Sequence, residues 1–332
     1  MYPRRVPRPE EIGFLAGGAT LAGELLLPDA PPPPDRRGRY PWVLLLASWL
    51  PRDRDGRFDA QRHPGWFSAE PMRAREAGLL RRFALALADR GVASFRYDAR
   101  GCGTSEGDWV SSDLFTRIDD ARDAIGAMRS RRELDLTRTG IVGHGEGALV
   151  GLSVAIADPA VGALTLLGGP ARSLRDLLRR EAAARGRTGT DRQHPMVAAL
   201  DRVSEELIER AERREPSMPV QLGRSGENVT LNLAGWEQAI HTPALAMATM
   251  LHRSVSLVHG ERDAWSHPDE SRLLEAALQQ AGNEPTSRLV SGAGHDLAEA
   301  PDDAIGSIAA NLADRLLPRE LPPVLLALEE LG

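Results

Sequence analysis

The chain contains no lysine; all 41 of its basic side chains are arginine. That absence removes Schiff-base chemistry and the lysine of a phosphate-binding loop. The bias itself reads as codon usage. A single cysteine, Cys102, rules out an intramolecular disulfide and points to a reducing cytoplasm as the expected compartment. No stretch approaches the apolar length that crosses a bilayer. The leading MYPRRVPRPEEIGF has no apolar run behind its basic residues, so neither a secretory leader nor an anchor is expected there. The net charge of -6 leaves no basic footprint for nucleic acid. Histidines, cysteines and carboxylates nowhere fall at metal-ligand spacing, and GCGTSEG lacks the helix context of a dinucleotide fingerprint, so no cofactor is expected. What is present is ordinary for a globular protein: 332 residues, 42% hydrophobic and 27% charged. Such a chain can bury a large core and is expected to act, as monomer or homodimer, on a small molecule.

Patterning predicts alternating strands and helices. EEIGFLAGGATLAGELLLPDA alternates around Gly17-Gly18, as an N-terminal hairpin does, and PPPPDRRG must be a surface loop. YPWVLLLAS and VASFRYD are short apolar runs of the kind buried in parallel sheets, and TGIVGH, ALTLL, SVSLVHG and TSRLVSG read as further strands. Between them lie helical periodicities: EAGLLRRFALALADRG, a polar helix from Asp113 to Arg131, a small-residue helix from Glu146, ESRLLEAALQQAG and DDAIGSIAANLADRLL. The expected architecture is α/β, a mostly parallel sheet covered by helices on both faces. The rhythm breaks over 171–250, where RSLRDLLRREAAAR and VAALDRVSEELIERAERR are amphipathic. This stretch is expected to be a helical cap inserted between core segments 1–170 and 251–332; plain surface helices are the alternative.

Chemistry concentrates at three strand ends. TGIVGH runs into GHGEG and a small-residue helix, the strand-turn-helix setting of a G-x-S-x-G nucleophile elbow with Gly145 in the serine's place. HGERDAW puts Asp263 just beyond one strand, and SGAGHDL puts His295 beyond the next. These are acid and base positions in the order nucleophile, acid, histidine, at the carboxyl ends where parallel sheets build sites.

With DARGCGTSEG (Asp98 to Gly107), RDRDG (Arg52 to Gly56), GERD and GAGH in the same order, the sequence resembles the α/β-hydrolase family across nearly its whole length, closest to esterase-like and acyl-peptidase-like members. The resemblance implies the α/β-hydrolase fold, a His295–Asp263 pair, and an oxyanion hole from the backbone of Glu146 and of the Ser48 to Trp49 region. It also exposes departures: Gly145 replaces the nucleophile, and ASWLP stands where the family has glycines at Ser48 and Leu50. Trp49, Trp109 and Trp265 are candidate pocket walls, and His144 is the elbow's neighbour. Cys102, Ser105 and Ser48 are substitute nucleophiles by proximity. Three functions stay open. The first is a His–Asp general base acting without a covalent intermediate on a polyketide-type specialised metabolite, in hydrolysis, elimination or cyclisation, as lyases and cofactor-independent relatives imply. The others are a serine carboxylesterase whose nucleophile has been removed and a catalytically dead binding protein.

Overall fold

The computed structural model describes residues 8–32, 38–64, 77–179, 195–222, 227–233, 236–241 and 243–317. The N-terminal hairpin forms as expected, β1 (Arg8–Ala16) against β2 (Ala19–Leu27). Then follow β3 (Tyr40–Leu46), α1 (Leu79–Ala88), β4 (Ala93–Tyr97), α2 (Leu114–Met128), β5 (Leu134–His144), α3 (Glu146–Ala157) and β6 (Val161–Leu167). After the intervening segment come β9 (Ser254–Gly260), α7 (Asp269–Gln280), β10 (Thr286–Val290) and α8 (Asp302–Leu316). The eight strands lie in the order β1-β2-β4-β3-β5-β6-β9-β10. All neighbours from β4 to β10 run parallel; only β1 and β2 are antiparallel. This is the α/β-hydrolase fold. Most of PPPPDRRG lies outside the described residues.

Strands β3, β4, β5, β6 and β9 are largely buried on both faces, which is why they lack polar alternation; β10, at the sheet edge, is exposed from Thr286 to Leu289. In β3, Trp42, Leu44 and Leu46 pack with α2 and α3, whereas Val43 and Leu45 pack on the opposite face with α1 and α8. Asp113 starts α2 by accepting the Thr116 N–H at 2.7 Å, leaving its apolar stripe (Ile118, Ala121, Ile125) on the sheet.

Residues 171–250 are not purely helical, contrary to expectation. They contain α4 (Pro195–Glu212), then an antiparallel hairpin of β7 (Ser217–Leu222) and β8 (Glu227–Asn232), then α5 (Trp236–His241) and α6 (Ala244–Ala248). Period-two burial explains the hairpin: Met218 and Val220 pair with Leu231 and Val229, and all four are buried. The helix expected over RSLRDLLRREAAAR is seen only to 179; the rest lies outside the described residues. Leu207 and Ile208 of α4 and the hairpin's apolar face cluster with Leu50, Phe58, Cys102 and Trp109 of the sheet loops.

Candidate active site

Four loops meet at the carboxyl ends of the parallel strands: Ser48 follows β3, Gly145 follows β5, Asp263 follows β9 and His295 follows β10. The turn between β5 and α3 is sharp, with Gly145 at φ +55° and ψ -119°, outside the regions L-residues ordinarily occupy. Its flanking glycines serve close approach. A Cβ on Gly143 would sit 2.2 Å from the Gly147 carbonyl oxygen, and one on Gly147 would sit 2.6 Å from those of Leu46 and Ala47.

Asp263 and His295 come together. His295 Nδ1 lies 2.8 Å from Asp263 Oδ2, while Asp263 Oδ1 accepts the backbone N–H groups of Trp265 (2.8 Å) and Ser266 (2.9 Å). An ionised carboxylate only accepts, so Nδ1 carries the proton and the neutral ring keeps a lone pair on Nε2. Burial alone would raise the Asp263 carboxyl pKa, but the His295 charge and the donated hydrogen bonds hold it below its ordinary value. For His295, burial lowers the pKa, yet the Asp263 charge and hydrogen bond outweigh it and the ring titrates above its ordinary value. Nε2 faces the turn: it lies 3.0 Å from the point where a Cβ of residue 145 would stand.

Two supports of this pair were not recognised in the sequence. Gly168, just past β6, has φ +56°, and a Cβ there would lie 2.9 Å from His295 Nδ1 and 3.0 Å from Asp263 Oδ2; the backbone passes directly beneath the pair. The double glycine ending LTLLGG was its only signal. Arg52, fully buried, donates to Asp296 Oδ1 at 2.8 Å and to the Gly56 carbonyl, joining the loop after β3 to the residue beside His295. His144, a substrate-binding candidate, instead donates from Nε2 to the His295 carbonyl at 3.1 Å. Burial and the adjacent His295 push its pKa down to about 3, so it is a neutral brace.

Ser48 is buried and lies against Gly145: a Cβ on Gly145 would meet Ser48 Oγ at 2.6 Å and Ser48 Cβ at 3.2 Å. The loop carrying it is clamped at the Trp49 carbonyl, which accepts from Trp109 Nε1 (3.0 Å) and Arg117 Nη2 (2.9 Å). Arg117 also pairs with the Glu146 carboxylate at 2.6 Å, fixing the loop relative to the start of α3. The Glu146 N–H belongs to the first turn of α3, where backbone donors have no intrahelical acceptor. The tryptophans form a cluster: Trp49 stacks on Trp109 with centroids 6.3 Å apart and meets Trp265 (5.8 Å) and Trp236 (5.9 Å) edge-on. Trp265 in turn lies 6.3 Å from the His295 ring. Trp236 was not singled out from sequence, because its neighbours carry no motif. A cavity of about 40 Å³ behind the loop, lined by Ser48, Trp109, Arg117 and Glu146 among others, is too small for an organic substrate.

Two substitute nucleophiles are otherwise occupied. Ser105 Oγ donates to the Asp98 carbonyl at 2.7 Å and accepts the Ala22 N–H at 2.9 Å, so it staples its loop to β2. Burial, with the nearby Asp59 charge, pushes the Cys102 thiol up to about 12, leaving no thiolate at neutral pH. Against the expectation from spacing, Asp59, His63 and Cys102 do gather three ligand-type atoms within 4.8 Å. The loops bring Cys102 in from a distant part of the chain. Two of the three are engaged by backbone, however: Asp59 Oδ2 accepts the Gly103 N–H and His63 Nε2 bonds the Gly101 carbonyl.

The sequence profile of the serine aminopeptidase S33 family matches residues 73–302. No curated protein matches the chain significantly. Among solved structures, the esterase domain of a Rhodothermus marinus protein is 14% identical with a TM-score of 0.56, over 92% of this chain and 97% of that one. DcsB in complex with its substrate analogue is 14% identical with a TM-score of 0.62, over 93% and 100%. Est1E of Butyrivibrio proteoclasticus with bound ferulic acid is 13% identical with a TM-score of 0.61, over 92% and 99%. At such identities the likeness is one of fold. No described helix is long and apolar enough to cross a membrane.

Proposed function

The chain belongs to the serine aminopeptidase S33 family of α/β-hydrolases, and we propose that it is an enzyme in which His295, oriented by Asp263, is the general base acting on a small organic substrate beside Gly145. The observation that carries this reading is the 2.8 Å hydrogen bond from His295 Nδ1 to Asp263, which leaves Nε2 as the basic atom facing the β5–α3 turn. Glycine at 145 offers no atom for an acyl bond. The proton that His295 accepts therefore comes from another hydroxyl or acidic C–H, and the reaction class is hydrolysis, elimination or ring closure. The Glu146 N–H is the donor for a developing oxyanion, Trp49, Trp109 and Trp265 form the apolar wall, and 171–250 serves as a cap over them.

The bound ferulic acid of Est1E and the substrate analogue of DcsB belong to those proteins; for this chain, small esters and lactones, including polyketide-type ones, are the first substrates to test. In assays on p-nitrophenyl acetate and an aromatic lactone, His295→Ala should lose turnover by about 10³-fold or more. A variant as active as the parent would overturn the proposal. The reading of a carboxylesterase stripped of its serine predicts an open space at 145; instead the Ser48 hydroxyl stands 2.6 Å from where that side chain would begin. The reading of a dead binding protein gives no reason for a buried imidazole and carboxylate to be kept in hydrogen-bonded register.

A further inference from the structure

We infer that Ser48 supplies the nucleophile that position 145 lacks, making the protein a serine acyl-transfer enzyme whose attacking hydroxyl comes from the loop after β3. This rests on the reading of His295–Asp263 as the base and names the hydroxyl on which that base acts. The Ser48 oxygen is 2.6 Å, and His295 Nε2 3.0 Å, from the point where a side chain on residue 145 would start. The hydroxyl therefore occupies nearly the place of an elbow side chain, and it faces the imidazole across a gap no wider than the sum of those distances. Among the described residues the Ser48 hydroxyl has no hydrogen-bond partner, although the residue is 5% exposed. Ser105 shows the contrast, with both donor and acceptor capacity spent on backbone. The clamp on the Trp49 carbonyl by Trp109 and Arg117 holds the loop in register with the start of α3, so the Glu146 N–H lies beside the carbonyl under attack.

The chemistry balances without further reagents. His295 Nε2 takes the Ser48 proton as Oγ bonds to the acyl carbon of an ester, and the carbonyl pair moves onto oxygen beside the Glu146 N–H. The bond to the leaving alkoxide then breaks, and the imidazolium gives it the proton. Water, or a hydroxyl of the acyl group itself in a cyclisation, repeats the cycle in reverse and restores the serine.

A fluorophosphonate tests this directly, because Oγ displaces fluoride and keeps the phosphonyl group. Trypsin releases Tyr40–Arg52, YPWVLLLASWLPR, in which Ser48 is the sole aliphatic hydroxyl, so fragmentation assigns the adduct. The native protein should label stoichiometrically at Ser48, and Ser48→Ala should lose both labelling and p-nitrophenyl acetate turnover by at least about 10³-fold. No adduct on the native protein, or an adduct elsewhere, overturns the assignment, whatever the fold of the variant. Should Ser48→Ala keep its turnover while His295→Ala loses it, Ser48 is excluded and the general base stands. Labelling of Ser48 in His295→Ala at the native rate would remove the base and with it the mechanism proposed for Ser48.

Discussion

Gly145 and Ser48 form a steric pair, and their coupling can be measured without knowing the substrate. In Gly145→Ala the new Cβ meets Ser48 Oγ at 2.6 Å, Ser48 Cβ at 3.2 Å and His295 Nε2 at 3.0 Å, on a backbone held at φ +55°. Backbone strain of this kind costs about 1–3 kcal/mol, and overpacking a filled site costs a further 1–3 kcal/mol or so. The variant should thus lose roughly 2–6 kcal/mol, a large share of a stability on the order of 5–15 kcal/mol. Ser48→Gly removes a hydroxyl that makes no hydrogen bond among the described residues and should cost only about 0.5–1 kcal/mol, through chain entropy. Combining the two relieves the contacts at Ser48 but leaves the backbone strain, so the double variant should recover about 1–2 kcal/mol relative to the sum of the singles. Urea unfolding followed by circular dichroism reads this cycle, provided the slopes agree across the four proteins. Additivity to within about 0.5 kcal/mol would refute the steric pairing and the placement of Ser48 on which the inferred nucleophile depends.

Other outcomes follow from the charges around the site. Turnover should fall as pH drops through the raised pKa of His295, since only the neutral ring accepts a proton; Asp263→Asn should move that acid limb to lower pH and cut kcat by about 10⁴, and an unmoved limb in the pH–rate profile would count against the pairing. His144 and His259 are buried with pKa values pushed down to about 3 and about 4. Their neutral forms are favoured in the folded state, so stability is complete above the unfolded histidine pKa of about 6.5 and is lost progressively below it. Urea midpoints at pH 7 and pH 5 should differ, and less so in His259→Gln. Arg52→Met should cost about 3–5 kcal/mol by removing the guanidinium bonded to the buried Asp296 carboxylate, and Arg52→Met with Asp296→Leu should recover most of it; a midpoint unchanged in Arg52→Met would show the pair to be energetically idle.

What was legible in the sequence was what local physics encodes. Apolar runs punctuated by glycine located the sheet, and the glycines at 143 and 147 marked the turn because no Cβ fits at either. Asp263 and His295 were legible because each stands a few residues beyond a readable strand, where the fold gathers loops. The hairpin of β7 and β8 was missed because the arginine-rich amphipathic helix before it dominated the reading of 171–250, although Met218, Val220, Val229 and Leu231 already alternate. Other features exist only after the chain has folded. Arg52 and Asp296 are 244 residues apart, and neither belongs to a pattern that mentions the other. Gly168 looks like any strand-ending glycine until the His295–Asp263 pair is laid over it.

Ser48 was legible as a departure from the loop that the family resemblance implies, but its consequence was not. A serine in that loop and a glycine in the elbow each read alone as a loss: one crowds the oxyanion loop, the other empties the turn. The crowding and the emptiness fall at the same point, because Gly147 lets the end of β3 approach the turn to within 2.6 Å of a Cβ's place. At that distance a side chain on either element excludes one on the other unless something shifts. On the mechanism inferred for Ser48, the hydroxyl comes from the loop after β3 in place of the elbow.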